Sequence, residues 1–222
     1  MNDSHPKHNN FSLTNPLLLY SCGSDLIVDY IELADRNNFE IIQIVNNLEE
    51  FIPHSVSKYV TKNETLKNGT PFLVPLFTPY NKYLAVQEAL SLGLKPALIL
   101  NDRNNDLPKK FEHGVGCFIN KRVVIGSESK IGNYVTINRG ACLGHHIVLE
   151  DFVSIGPGVT TGGGVTIGKG SLIGTGATLL PEVKIGENAI IGAGSVVTKN
   201  IPNNALVMGN PAKQVSENKK PI

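Results

Sequence analysis

The sequence predicts an α/β domain followed by an all-β parallel β-helix, and three observations carry that prediction. Most of the 22 glycines lie after residue 113, so the two halves are built differently. Before about residue 108, short apolar runs alternate with amphipathic stretches, the pattern of strands joined by crossover helices. From Cys117 onward the chain repeats every six residues without a gap. A chain of 222 residues is long enough for two such units with buried cores.

In the front half, PLLLYS is a short apolar run closed by Cys22-Gly23-Ser24, and a periodic stretch through Ile27, Ile31 and Ala34 follows it. FEIIQIVNN is a β-branched run. PFLVPLF then leads into YNKYLAVQEALSLG, an amphipathic helix with Gly93 as its C-terminal cap, and PALILN supplies another strand. Alternation of this kind favours a small parallel sheet, with ligands held in the loops after its strands.

The second half divides into CFINKR, VVIGSE, SKIGNY, VTINRG, ACLGHH, IVLEDF, VSIGPG, VTTGGG, VTIGKG, SLIGTG, ATLLPE, VKIGEN, AIIGAG and SVVTKN. The third residue of each is Ile, Leu or Val, with Thr161 the one exception. The fourth is mostly glycine, a residue that tolerates tight turns and positive φ. Six-residue strands that turn at each repeat close into a three-sided prism with eighteen residues per coil. Residues eighteen apart then stack one strand spacing away, about 4.8 Å. On that arithmetic His145 lies beside Gly163, in an outward column that continues through Pro181 to Lys199.

Composition excludes several classes of function. Twenty basic residues against nineteen acidic ones offer no electrostatic case for binding nucleic acid or an anionic membrane. Cys22, Cys117 and Cys142 form no CxxC pair, so they imply neither a disulfide framework nor a zinc cluster and fit a reducing cytosol. Leu19-Tyr20-Ser21-Cys22 looks like a lipoprotein cleavage site, but the apolar run before it is far short of the roughly 7–15 residues a signal peptide needs. The expectation is a cytoplasmic protein with no membrane span.

The hexapeptide run resembles the left-handed β-helix of hexapeptide acyltransferases. With its βαβ front half and its closing VMGNPAK, the whole chain resembles bacterial nucleotide-sugar N-acetyltransferases and sialic-acid O-acetyltransferases. That resemblance implies residues 1–15 as a disordered tail and 16–108 as a Rossmann-like substrate-binding domain. It further implies 109–205 as the left-handed β-helix and 206–222 as a C-terminal tail. It also implies a homotrimer that uses acetyl-CoA as acyl donor to a sugar amine or hydroxyl, most naturally on a nucleotide-linked amino sugar.

The residue roles follow from the same resemblance. The family stretch I-N-T-G-A-x-x-D-H-[D/E] reads INRGACLGHH here, over 137–146. His145 falls on the catalytic base, Asn138 on a substrate-side asparagine, and Gly163 on the glycine whose N–H meets the acetyl carbonyl. Such transfer needs a base for the attacking group and a donor for the carbonyl oxygen, and histidine titrates near neutrality. His146 occupies the place of the family's carboxylate, with Glu150 and Asp151 as nearby carboxylates that could substitute for it. A second family histidine is Ser154 here, on the cofactor side. Lys199 and Lys213 are candidates for the phosphates of coenzyme A.

The family's phosphate loop Gly-x-Gly-Gly-His is replaced by Ser21-Cys22-Gly23-Ser24-Asp25, and Asn46-Asn47 stand where it has paired aspartates. Gly23, Ser24, Asp25 and Asn46 are the substrate-binding candidates there. Two other readings remain: a prism kept for binding or assembly without chemistry, and a zinc enzyme of the carbonic-anhydrase kind, for which the prism offers only His145 and His146.

Overall fold

The computed structural model describes residues 15–21, 25–45, 57, 60–61, 66–105 and 107–222. The expected N-terminal tail, apart from Asn15, and the candidates Gly23, Ser24 and Asn46 lie outside the described residues.

The front half forms a five-stranded parallel sheet. Its strands are β1 (Asn15–Tyr20), β2 (Phe39–Val45), β3 (Val60–Thr61), β4 (Pro71–Leu73) and β5 (Lys95–Pro96), in the order β3-β2-β1-β4-β5. The central strand β1 carries an unbroken buried run from Leu17 to Tyr20, as expected for a strand covered on both faces. Helix α1 (Ile27–Arg36) buries Ile27, Tyr30, Leu33 and Ala34 along one stripe. Helix α2 (Pro79–Ser91) opens on a proline, whose missing N–H costs nothing in the first turn. It ends as predicted: Gly93 takes φ 77° and donates its N–H to Leu90 O.

PALILN does not remain one strand. Lys95–Pro96 closes the front sheet, and Ile99–Asn101 (β6) instead pairs with Cys117–Ile119 on the β-helix. Ala97, between them, accepts from Gly116 N–H and donates to Phe72 O, so it bridges the two sheets.

The second half is a prism of three parallel sheets. The pairings Thr136↔Ser154, Cys142↔Thr160 and Val148↔Thr166 each span eighteen residues, one for each sheet. Its core is a continuous ladder that includes Ile137, Leu143, Leu149, Ile155, Ile167 and Ile173. Thr161, the exception in the ladder, is buried, and its Oγ1 accepts from Gly144 N–H at 3.1 Å.

The turn chemistry differs from the sequence expectation. In every repeat from Arg122 to Gly194 the sixth residue, not the fourth, takes the left-handed conformation, with φ of 54–70°. The fourth-position glycines are required by close stacking: a Cβ on Gly126 would lie 2.4 Å from His145 N, and one on Gly144 2.5 Å from Gly162 O. At these two glycines adjacent coils touch backbone to backbone, and no side chain fits between them.

The closing residues, expected as a tail, form a hairpin. Ala205–Met208 pairs with Ile190–Ile191, and Lys213–Glu217 returns antiparallel to it. It covers the last open strand edge of that sheet, which would otherwise present unpaired backbone groups.

The front domain docks on one prism face. Phe118 stacks on Tyr30 with ring centroids 3.8 Å apart. Lys82 of α2 is fully buried against the same face and donates to Tyr134 O (3.1 Å), Thr136 Oγ1 (2.8 Å) and Ser154 Oγ (3.0 Å). Desolvation pushes its pKa down to about 7, while three oxygens, one for each N–H, favour the ammonium.

Candidate active site

The turn between Cys142–Leu143 and Val148–Leu149 carries Gly144, His145 and His146 at one corner of the prism. A Cβ built on Gly163 would lie 2.5 Å from His145 Cε1, 2.7 Å from Nε2 and 3.0 Å from Nδ1. The imidazole therefore occupies the space that a side chain at 163 would take, one coil on, as the stacking arithmetic predicts. Gly164 N–H holds the two turns together through His145 O at 2.8 Å. Among the described residues, Gly163 N–H and His145 Nε2 have no hydrogen-bond partner, so a donor and a ring nitrogen are both left for a ligand.

His145 Nδ1 contacts His146 Nδ1 at 2.8 Å, with the rings nearly perpendicular. His146 in turn places Nε2 3.0 Å from Glu128 Oε2, and Glu128 Oε1 meets Lys110 Nζ at 3.1 Å. Sequence reasoning missed Glu128. Its signal was available, because 128 lies eighteen residues before 146 and therefore stacks on it. Glu150 and Asp151 do not reach the pair. Glu150 Oε2 accepts from Lys169 N–H, and Asp151 Oδ1 accepts from Asn133 N–H, so both carboxylates cap neighbouring turns.

The other candidates are dispersed. Ser154 is corrected as a cofactor contact: it is fully buried under α2, and Lys82 donates to its hydroxyl. Asn138 sits at a different corner, separated from His145 by the strand Cys142–Leu143. Its Oδ1 accepts from Asn120 Nδ2 (2.9 Å) and Arg139 N–H (2.8 Å). Asn120 Nδ2 and Arg139 Nη2 both reach Asp29 of α1, at 3.0 and 2.7 Å. A crevice of about 350 Å³ opens there between Asp29, Lys121, Arg122 and Arg139. Asp25 is exposed just ahead of α1. Lys199 is exposed on the His145 corner, two coils beyond Gly163, whereas Lys213 opens the second hairpin strand in a different sheet. Among the described residues, no group of three His, Cys, Asp or Glu side chains converges on one point, so the zinc reading finds no ligand set there.

The family model described as bacterial transferase hexapeptide (six repeats) matches residues 146–180 and 164–199. No curated protein matches the chain in sequence. Several solved structures do match in fold. A mutant of perosamine N-acetyltransferase from Caulobacter crescentus, in complex with CoA and GDP-perosamine, is 22% identical with a TM-score of 0.81, over 92% of this chain and 98% of that one. The acetyltransferase domain of PglB from Neisseria gonorrhoeae, in complex with acetyl coenzyme A, is 23% identical with a TM-score of 0.81, over 91% and 100%. WeeI from Acinetobacter baumannii is 20% identical with a TM-score of 0.73, over 90% and 100%. Residues 146–199 thus carry the bacterial transferase hexapeptide repeat, and the front sheet and prism together share the fold of those three solved structures.

Proposed function

We propose that the protein is an acetyl-CoA-dependent acetyltransferase acting on a sugar amine or hydroxyl, with a nucleotide-linked amino sugar as the favoured acceptor. The observation that carries this reading is the His145 imidazole lying over Gly163, with Nε2 and the Gly163 N–H both unpartnered. Acetyl-CoA, when bound, supplies the activated acyl group. His145 Nε2 takes the proton of the attacking amine or hydroxyl, and Gly163 N–H donates to the carbonyl oxygen as it gains charge. Lys199, exposed on the same column, is the proposed contact for a phosphate of the donor. The similar structures complexed with CoA or acetyl coenzyme A, one also with GDP-perosamine, support the choice of donor and acceptor class.

The outward row of the prism sheet that holds the Cys142↔Thr160 pair, namely Val124, Cys142, Thr160, Thr178 and Val196, carries no charge and runs up to the His145 corner. This row suits packing against further copies, and we propose a closed trimer whose sites lie between neighbouring prisms. Among the described residues no helix is long and apolar enough to cross a membrane, and the proposed setting is the cytoplasm.

The test is a turnover screen of acetyl-CoA against nucleotide-linked amino sugars, read as free thiol release, with light scattering on the same sample. Turnover that falls 10²–10⁴-fold in His145→Ala, with mass and fold retained, is the expected result. Saturable acetyl-CoA binding must accompany it; its absence would leave the prism as a scaffold and overturn the reading.

A further inference from the structure

We infer that Glu128 and His146 form a relay that sets the tautomer of His145 and stabilises the charge it acquires. This rests on the acetyltransferase reading of His145. The carboxylate that the local sequence lacks is supplied from one coil earlier, through an intervening imidazole.

Both residues occupy sixth positions of the repeat, with φ of 60° for Glu128 and 55° for His146. Side chains at successive sixth positions leave the corner in the same direction, one strand spacing apart. The backbone clamps them: His146 N–H donates to Ser127 O at 2.9 Å, and Glu128 N–H donates to Lys110 O at 3.0 Å. Glycine fills this position in the next coil, at Gly164, while Arg122, Tyr134 and Phe152 hold the same left-handed conformation as the two relay residues.

The protons can be assigned by donor and acceptor bookkeeping alone. Glu128 as a carboxylate only accepts, so the 3.0 Å contact places a proton on His146 Nε2. A neutral His146 then has a bare Nδ1, which accepts across the 2.8 Å contact. His145 must therefore carry its proton on Nδ1, and its Nε2 is bare. That nitrogen is the one beside Gly163. When His145 Nε2 takes the proton of the attacking group, its Nδ1–H already points at an acceptor, and the new positive charge faces a chain that ends in an anion. A proton added to His146 instead reverses the contact: its Nδ1–H donates, His145 Nδ1 accepts, and Nε2 carries the proton. The pair is thus inactivated by one proton on either ring.

The charged groups around the pair are mixed in sign, and the one that touches a ring is the anion. Glu128 faces the pair from the preceding coil and holds Lys110 on its other oxygen. Lys109, Glu112 and Lys130 line a crevice of about 550 Å³ beside His146. The following coil presents Gly163 and Gly164, without charge, and Glu182 stacks beyond them. Among the described residues, Glu128 is the one carboxylate in contact with either ring.

The test combines a readout of ring protons with one of rate. Protein with ¹⁵N-labelled histidine, alone at pH 8, is expected to show His145 protonated on Nδ1 and His146 on Nε2. Glu128→Ala and His146→Gly should move His145 toward the Nε2-protonated form that free imidazoles favour. His146→Gly suits the existing backbone, so folding is not at issue. Glu128→Gln keeps an accepting oxygen and should keep the tautomers while losing the charge. In turnover, Glu128→Ala should be about tenfold slower, within the 10–100-fold range known for groups that orient metal-bound histidines. A folding defect would lower turnover without moving the tautomers. Nε2 protonation of His145 in the native protein, or a Glu128→Ala protein with unchanged tautomers, would overturn the relay. Absence of turnover with the expected tautomers would count against the acetyltransferase reading alone.

Discussion

Gly163→Ala separates the position of His145 from every other property of the corner. An alanine Cβ would sit 2.5 Å from His145 Cε1 and 2.7 Å from Nε2, where non-bonded carbon contacts settle near 3.5–4.0 Å. The ring must retreat by about 1 Å, which stretches the 2.8 Å contact with His146 beyond hydrogen-bond range. Alanine keeps the N–H at 163, so the proposed carbonyl donor survives and the loss reports displacement of the proposed base. A displacement of that size is expected to cost about 10² in turnover. Stability should be unchanged or higher by up to about 1 kcal/mol, because φ at 163 is outside the left-handed region and the exposed ring can move without the backbone. The assay is initial-rate thiol release beside urea denaturation of the same preparations. The double variant with His145→Ala should be no slower than His145→Ala alone, since one residue acts through the other. A Gly163→Ala protein with more than half of native turnover would refute the stacking of His145 on Gly163.

Gly144→Ala should instead lose at least about 1–3 kcal/mol, because its Cβ would meet the backbone of Gly162, which cannot move aside. Gly176→Ala, with open space but φ of 67°, should lose about 1 kcal/mol, and denaturation midpoints at one protein concentration would rank the two. Lys199→Glu should raise the apparent KM for acetyl-CoA several-fold, as like charge now meets phosphate, and leave the acceptor KM nearly unchanged; an unaltered donor KM would make Lys199 a bystander. Lys82 has a folded pKa depressed to about 7 from 10.5, so the unfolded chain binds more protons between those values and stability rises with pH. From pH 7 to 9 the gain is about 2 kcal/mol, and Lys82→Met should abolish it. The window stops at pH 9 because burial raises the Cys117 thiol from 9.0 to about 11, which gives a slope of opposite sign above that point. Equal pH slopes in native and Lys82→Met proteins would refute the assignment.

The prism and the central contact of its site were legible in the sequence for one reason. A parallel coil of constant length converts a separation of eighteen residues into spatial adjacency. His145 over Gly163 and Glu128 beside His146 are both cases of that rule. The first follows from counting forward from His145, whereas the carboxylates nearest His146 in the chain, Glu150 and Asp151, are not the ones nearest it in space. Periodicity specifies which backbones neighbour each other, but not which side chains cross the gap. Those two acids are drawn instead to the N–H groups of Lys169 and Asn133. The glycines were legible as turn residues; only stacked coordinates divide them into those that yield space and those that take positive φ.

Tertiary structure alone decided what the aperiodic front half does to the prism. Ser154 reads from the repeat as an outward residue, and it is buried because α2 covers that face and brings Lys82 onto its hydroxyl. PALILN divides between two sheets because Ala97 is held by both. The closing residues become strands because the last coil leaves an edge to pair. In each case the outcome depends on contacts between segments that share no period, so no spacing in the chain encodes it. The repeat determined the scaffold and the register of the site, and packing across the two halves determined which of its surfaces remain open to ligands.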